Sequence, residues 1–494
     1  MLTTPTSAVY RLLGLCAIAA LLLAGCGPDA APTATVVPAA PQIAPTAAGS
    51  TTGATAPPAS GAAQTPLPAT ATSPPAALSG ALSFLVFGEP AESKAFFNVA
   101  QGFETANPGV KVNTIAVPSQ PDHLLKLSTM LAAGAPPDVW IVDYRRFGSL
   151  QNSGVIDPAG PHLAQSTVIH ATDFFTKPLQ PFTVNGVLQC IPLNMSSLEV
   201  YYNKDLFDRA HVPYPQPGWT WNDFLQDAIA ITKLSTPDNQ IYGAGIDPQL
   251  IRLAPFVWEN GGDIVDNPDH PTRFTLDSPP AKEAFQWFVD LQTKYHVIAS
   301  EAEAASEQDE TRFLFNTLGM WLLSRRVVPA LRTASGFTWD VAPLPAGKQL
   351  VSILHTDGYC IAAASKNKDL AWKFVEYANG PEGQTITAQT GRSVPSLQAV
   401  AHSPAYLDPS KLPAHSQAFL DMGPYLRSTP QISTWPDIEL RVNAAIAQAF
   451  YGHISVDDAI REINTSTAAD FQGPNFPSTI VVPTPFVGRP GEDD

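Results

Sequence analysis

Glu89 follows the compact apolar run Ser83-Phe84-Leu85-Val86-Phe87, and Asp143-Tyr144-Arg145-Arg146 follows a second apolar run over 138–142. Carboxylate and guanidinium groups in such places can hold a polar molecule by charge-assisted hydrogen bonds, because open α/β sheets bind ligands beyond the carboxyl ends of their strands. Nine tryptophans add flat apolar faces. Motifs that make or break covalent bonds are missing from the chain. There is no G-x-S-x-G elbow, no H-E-x-x-H, no Walker loop, no G-x-G-x-x-G after a strand and no C-x-x-C pair. A paired-carboxylate hydrolase stays open, since 44 Asp and Glu could supply the pair and its geometry is not visible in sequence. The chemistry on offer is reversible binding, with no cofactor and no metal site expected.

Local patterns say how these groups are positioned. After the run 83–87, Phe96, Ala100 and Phe103 recur at helical spacing and stop at Asn107-Pro108-Gly109. Lys111 to Val117 reads as a second strand. Leu124, Leu127 and Leu131 mark a second helix ending at Gly134, and 138–142 is a third strand. This β-α-β-α-β order predicts parallel strands joined by right-handed crossovers. Further on, Thr220 followed by Asp223 reads as a capped helix start, with Trp219 and Trp221 packing at its entrance. Helices are expected over 281–295, 368–377, 435–451 and 456–471, and strands over 241–246, 319–323 and 358–364. Trp140, Trp287, Trp339 and Trp372 fall within these patterns and are assigned to the core.

The chain has 494 residues, 28 Lys and Arg against 44 Asp and Glu, and a net charge of −16. Phosphate binding needs clustered cations, so nucleic acid is not an expected partner. Near the amino terminus, Arg11 precedes the apolar run Leu12 to Leu23, which is too short to span a bilayer and reads as a secretory signal over 1–25. Leu23-Ala24-Gly25-Cys26 resembles the bacterial lipobox, which implies a lipid on Cys26, an extracytoplasmic location and anchoring to the membrane. Residues 26–80 are rich in Pro, Ala and Thr and cannot bury enough apolar surface to order themselves, so they read as a tether. Residues 481–494 read as a flexible tail. Cys190 and Cys360 remain, as a disulfide or as two buried thiols.

Several short segments carry a resemblance over Ser83 to Phe471. They are Phe103-Glu104-Thr105-Ala106-Asn107-Pro108-Gly109-Val110-Lys111-Val112, Lys126 to Gly134 with Pro137-Asp138-Val139, and Tyr202-Asn203-Lys204-Asp205-Leu206-Phe207. Asn260-Gly261-Gly262, Gly319-Met320-Trp321 and Ala371-Trp372-Lys373-Phe374 follow. In this order the chain resembles the extracellular solute-binding proteins of ABC importers, in the sugar-binding family related to maltose-binding protein. The resemblance implies a periplasmic-binding-protein-like α/β fold: two lobes joined by a multi-crossing hinge, with a ligand cleft between them. It places 81–195 and 351–400 in one lobe and 196–350 and 401–480 in the other. It also implies a monomer that delivers a small molecule, a sugar foremost, to a separate membrane permease, and no enzyme activity. Cys190 and Cys360 would then lie on neighbouring strands, in reach of a disulfide.

By the same resemblance Trp258, Trp321 and Trp435 stand where cleft aromatics are found, with Arg325 beside Trp321. Asn194 and Ser196 fall at the first lobe crossing, and His355-Thr356-Asp357-Gly358-Tyr359 at a later one, so that Asp357 and Tyr359 join Glu89, Tyr144 and Arg145 as candidate ligand contacts. Ser196 departs from maltose-binding protein, which has a carboxylate there, and this puts a maltodextrin ligand in doubt. Rival readings keep the fold with a polyamine, peptide or ferric ion, the last suggested by Tyr201-Tyr202, or make the chain a tethered polysaccharide hydrolase.

Overall fold

The computed structural model describes residues 78–473, apart from residue 152, all within one unit of the chain. The signal segment, Cys26, residues 26–77 of the tether and the tail lie outside the described residues. Strand β1 (Ser79–Phe87) pairs in parallel with β2 (Gly109–Val117) along its whole length, Ser79 opposite Gly109 and Phe87 opposite Val117. Its other edge meets β3 (Val139–Asp143), also in parallel. Helix α1 (Pro90–Ala106) makes the first crossover. Proline at its first position has the right φ and no N–H to leave unsatisfied, and Glu92 accepts the Glu89 N–H at 3.1 Å. Helix α2 (Gln120–Ala132) makes the second, with the Ser119 hydroxyl accepting the Asp122 N–H at 3.2 Å. A late strand, Asp357–Ala362, joins β3 antiparallel, Asp357 opposite Asp143, and carries the short strands Ile156–Asp157 and Ile191–Pro192.

A second sheet runs in the order Trp339–Pro343, Glu199–Asn203, Leu318–Leu323, Tyr242–Gly245. The helices Trp221–Thr232, Leu250–Glu259, Pro279–Thr293, Trp435–Phe450 and Val456–Thr467 share its apolar core. The first of these begins as its sequence suggests: Asp223 accepts both the N–H and the hydroxyl of Thr220 at 2.8 Å. Tyr201 and Tyr202, adjacent on an extended strand, face opposite ways. Tyr201 packs near Trp321 and Trp339 and donates to the Ser324 carbonyl at 2.9 Å, while Tyr202 packs on Phe207 and Tyr214. The rings of Tyr201 and Tyr202 therefore do not converge on one point.

The chain leaves the first sheet after Pro192, enters the second at Glu199, and returns between Pro343 and Asp357. The outgoing and returning segments run side by side. The N–H of Ser196 donates to the His355 carbonyl at 2.8 Å, the N–H of His355 to the Ser196 carbonyl at 2.9 Å, and the N–H of Leu193 to the Asp357 carbonyl at 2.8 Å. A third connection runs alongside, Leu426–Arg427 pairing in parallel with Ser352–Ile353 before the chain enters the Trp435–Phe450 helix. Beside this bundle of connections Cys190 and Cys360 are disulfide-bonded, S–S 1.97 Å.

Candidate functional site

Between the two sheets lies a cavity of about 740 Å³. One wall comes from the amino-terminal turn of α2, through Gln120 to Asp122, and from Arg145 and Arg146 in helix α3 (Tyr144–Phe147). The facing wall comes from the loop after Tyr242–Gly245, from the Asp309–Leu314 helix, from Trp321 and Leu323 on the central strand, and from the Trp435–Phe450 helix. Both halves therefore contribute polar and charged groups to one space.

The strongest polar feature joins the two walls. Asp143 caps α3, its Oδ1 accepting the Arg145 N–H at 2.7 Å, and holds the Arg145 guanidinium at Nε, 3.1 Å. That guanidinium reaches across to Glu439 through Nη1 at 3.1 Å, and Arg146 Nη1 meets the other oxygen of Glu439 at 3.0 Å. Burial alone would lower the Arg145 pKa, but the charges of Asp143 and Glu439 outweigh it and hold it above the usual arginine range. Burial alone would raise Glu439; the two arginines outweigh it and hold the carboxyl below its ordinary value. Opposite, Arg312 pairs with Asp309 at 2.9 Å and lies over the Tyr242 ring, 4.9 Å from its centroid. Burial, with repulsion from Asp247, pushes Asp309 up to about 6 against the pull of Arg312.

Of the residues singled out from sequence, the structure places Arg145 and Trp321 on this cavity. The rest lie elsewhere, each for a visible reason. Trp435 is 0% exposed, packed near Phe274, because Trp435, Ile438, Val442 and Ile446 form the inward stripe of their helix. Trp258 is 1% exposed in a helix buried on every side, under the Arg427 guanidinium at 4.7 Å. Arg325 is wholly buried: it donates to the Gly391 carbonyl and the Ser416 hydroxyl and sits over the rings of Tyr406 and Phe419. Tyr359 stacks on Phe84 in the first core. Tyr144 is buried, which pushes its pKa to about 12, and its hydroxyl accepts from Thr429 at 3.3 Å.

Asn194, Ser196 and Asp357 serve the crossings instead. Asn194 accepts the Asp357 N–H at 2.7 Å through its side chain and the Thr356 hydroxyl at 2.8 Å through its carbonyl. Glu89 is exposed at the start of α1, and its neighbour Glu92 approaches Arg326 of the other half at 3.9 Å. Gln120, Asp309, Arg312 and Glu439 were missed from sequence. A signal existed for two of them: Glu439 occupies the buried stripe of an amphipathic helix, and Arg312 the buried side of a short one, and such charges are retained only with partners.

Comparison with known proteins agrees with this architecture. Residues 98–414 match the family described as bacterial extracellular solute-binding protein, and the chain belongs to that family. A Brucella abortus protein that carries only a provisional binding-protein name is 25% identical over 375 residues, 74% of this chain and 87% of the relative. The maltotriose-binding protein of Pyrococcus abyssi is 23% identical over 331 residues, 64% of this chain and 66% of that one. Among solved structures, the ABC substrate-binding protein of Listeria monocytogenes in complex with cycloalternan superposes with a TM-score of 0.73 at 22% identity, covering 79% of this chain and 99% of that one. The fold is that of the periplasmic binding proteins.

Proposed function

We propose that this protein is the lipid-anchored, extracytoplasmic receptor of an ABC importer and that its ligand is a carbohydrate. The observation that carries the reading is the cavity of about 740 Å³ walled by both halves, with Trp321, 4% exposed, in its lining and charged hydrogen-bonding groups around it. A sugar presents apolar C–H faces and a rim of hydroxyls, and those two surfaces suit an aromatic ring and polar side chains respectively. A ligand that touches both walls only when they approach binds the closed form better than the open one, and so shifts the population toward it. A membrane permease that recognises the closed form then takes up the solute. The paired segments 193–197 and 354–357 supply the hinge, the first sheet and its helices one lobe, and the second sheet with the Trp435–Phe450 helix the other. The lipid on Cys26 and the tether behind it keep the receptor near the permease.

The test is a panel of mono- and oligosaccharides followed by thermal shift and product analysis. Saturable stabilisation with the sugar recovered intact supports a receptor; released shorter sugars indicate a hydrolase and contradict it. Within that panel, Trp321→Ala weakens the best ligand by about ten- to a hundred-fold, the loss typical of an aromatic anchor. Trp435→Leu, which keeps apolar volume in the core, leaves affinity as it was. Equal losses from the two variants would contradict the placement of the site.

A further inference from the structure

The charges around the cavity are unevenly committed. Its lining contains eight Asp and Glu side chains against five arginines, and no lysine. Every one of those arginines already has a carboxylate: Arg145 and Arg146 share Glu439, Arg312 has Asp309, Arg326 has Glu92, and Arg441 has Asp470 at 3.5 Å. An anionic ligand would meet no spare cation. It would have to take a guanidinium from its partner and leave that carboxylate buried and alone.

The acids are in a different position. Asp247, Glu310 and Asp437 have no cation within ion-pair distance among the described residues, and Arg312 takes only Oδ1 of Asp309, with no hydrogen bond among the described residues going to Oδ2. Asp247 and Asp309 stand together at the carboxyl end of the Tyr242–Gly245 strand. Gly245 makes room for Asp309: a Cβ there would overlap its carboxylate. A second observation points to a ligand on the opposite wall. Gln120 is 4% exposed, lines the cavity, and has neither its amide nitrogen nor its amide oxygen bonded. A buried amide without partners is costly, and a ligand's hydroxyl can both donate to and accept from it.

We propose that the cleft selects a carbohydrate bearing an ammonium group, an amino sugar, with the cation held by Asp309 and Asp247 and a neighbouring hydroxyl by Gln120. Sugar acids and sugar phosphates are rejected. An ammonium group offers three donors, to Asp247, which has no cation within ion-pair distance among the described residues, and to the Asp309 oxygen that Arg312 leaves unbonded. This inference rests on the carbohydrate reading and narrows it.

Calorimetric titration of the purified protein with matched neutral, amino and acidic disaccharides, in both α-1,4 and β-1,4 linkage and at a pH where the sugar amine is protonated, decides it. The amino member is expected to bind about ten-fold more tightly than its neutral counterpart, and the acidic member about ten-fold more weakly. Added salt shrinks both differences. Asp309→Asn and Asp247→Asn each bring the amino and neutral members close together; Asp247 lies in a half-buried loop, so that variant decides if the other fails to fold. Equal binding of neutral and amino members, or preference for the acidic one, overturns the ammonium site and leaves the carbohydrate reading standing. Failure of every member to bind overturns both.

Discussion

Replacing Glu439 by alanine is expected to destabilise the protein by about 3–5 kcal/mol, because it leaves two guanidinium groups facing a buried space without their shared carboxylate. Arg145 keeps Asp143, so part of its charge stays compensated; Arg146 keeps nothing comparable among the described residues. Urea unfolding at neutral pH measures the loss. The pH dependence has a definite sign. Glu439 titrates below its ordinary value of 4.5 in the folded protein, so its contribution is complete above that value and disappears as pH falls through the lower folded one. The stability gap between wild type and Glu439→Ala should therefore narrow in acid. An unchanged unfolding midpoint at neutral pH would show that the contact between the two walls carries no net energy.

Removing the Cys190–Cys360 bond is expected to cost about 2–5 kcal/mol. The bond closes a loop across a sequence separation of 170, which includes the entire second sheet, and on a chain-entropy account long loops restrict the unfolded chain most. The bond also ties together the strand from which the chain leaves the first half and the strand to which it returns. Cys190→Ser with Cys360→Ala should lower the urea midpoint by the same amount as reduction of the wild type, and reductant should have no effect on the double variant. A double variant as stable as the oxidised wild type would contradict this role.

Much of the first sheet is legible in the chain because its signals are local. The run 83–87, the stop at Asn107-Pro108-Gly109 and the Leu124, Leu127 and Leu131 spacing lie within a few residues of the structure they specify. The antiparallel strand Asp357–Ala362 is not legible this way, since its partner β3 lies more than 200 residues earlier and nothing in its own pattern gives a direction. The site is harder still, because residue type says what a side chain can do and not whether it is free to do it. Asn194 and Asp357 have the right chemistry for hydroxyls, yet they meet each other across 163 residues at the crossing. Arg325 and Arg326 differ by one position, and that step separates a wholly buried bridge to Gly391 and Ser416 from a group on the cavity wall. Trp435 was informative in a different sense. Expected in the cleft, it lies instead on the buried stripe of its helix, and the same stripe contains Glu439, the acid that ties the two walls together.

Two hinged halves are expected to take a sugar between them and return it unchanged. Small-angle X-ray scattering during titration with the best-binding carbohydrate tests this most directly. The radius of gyration should fall saturably along the binding isotherm, and all of the sugar should be recovered intact. A radius that stays constant through saturation, or a sugar recovered in fragments, would contradict it.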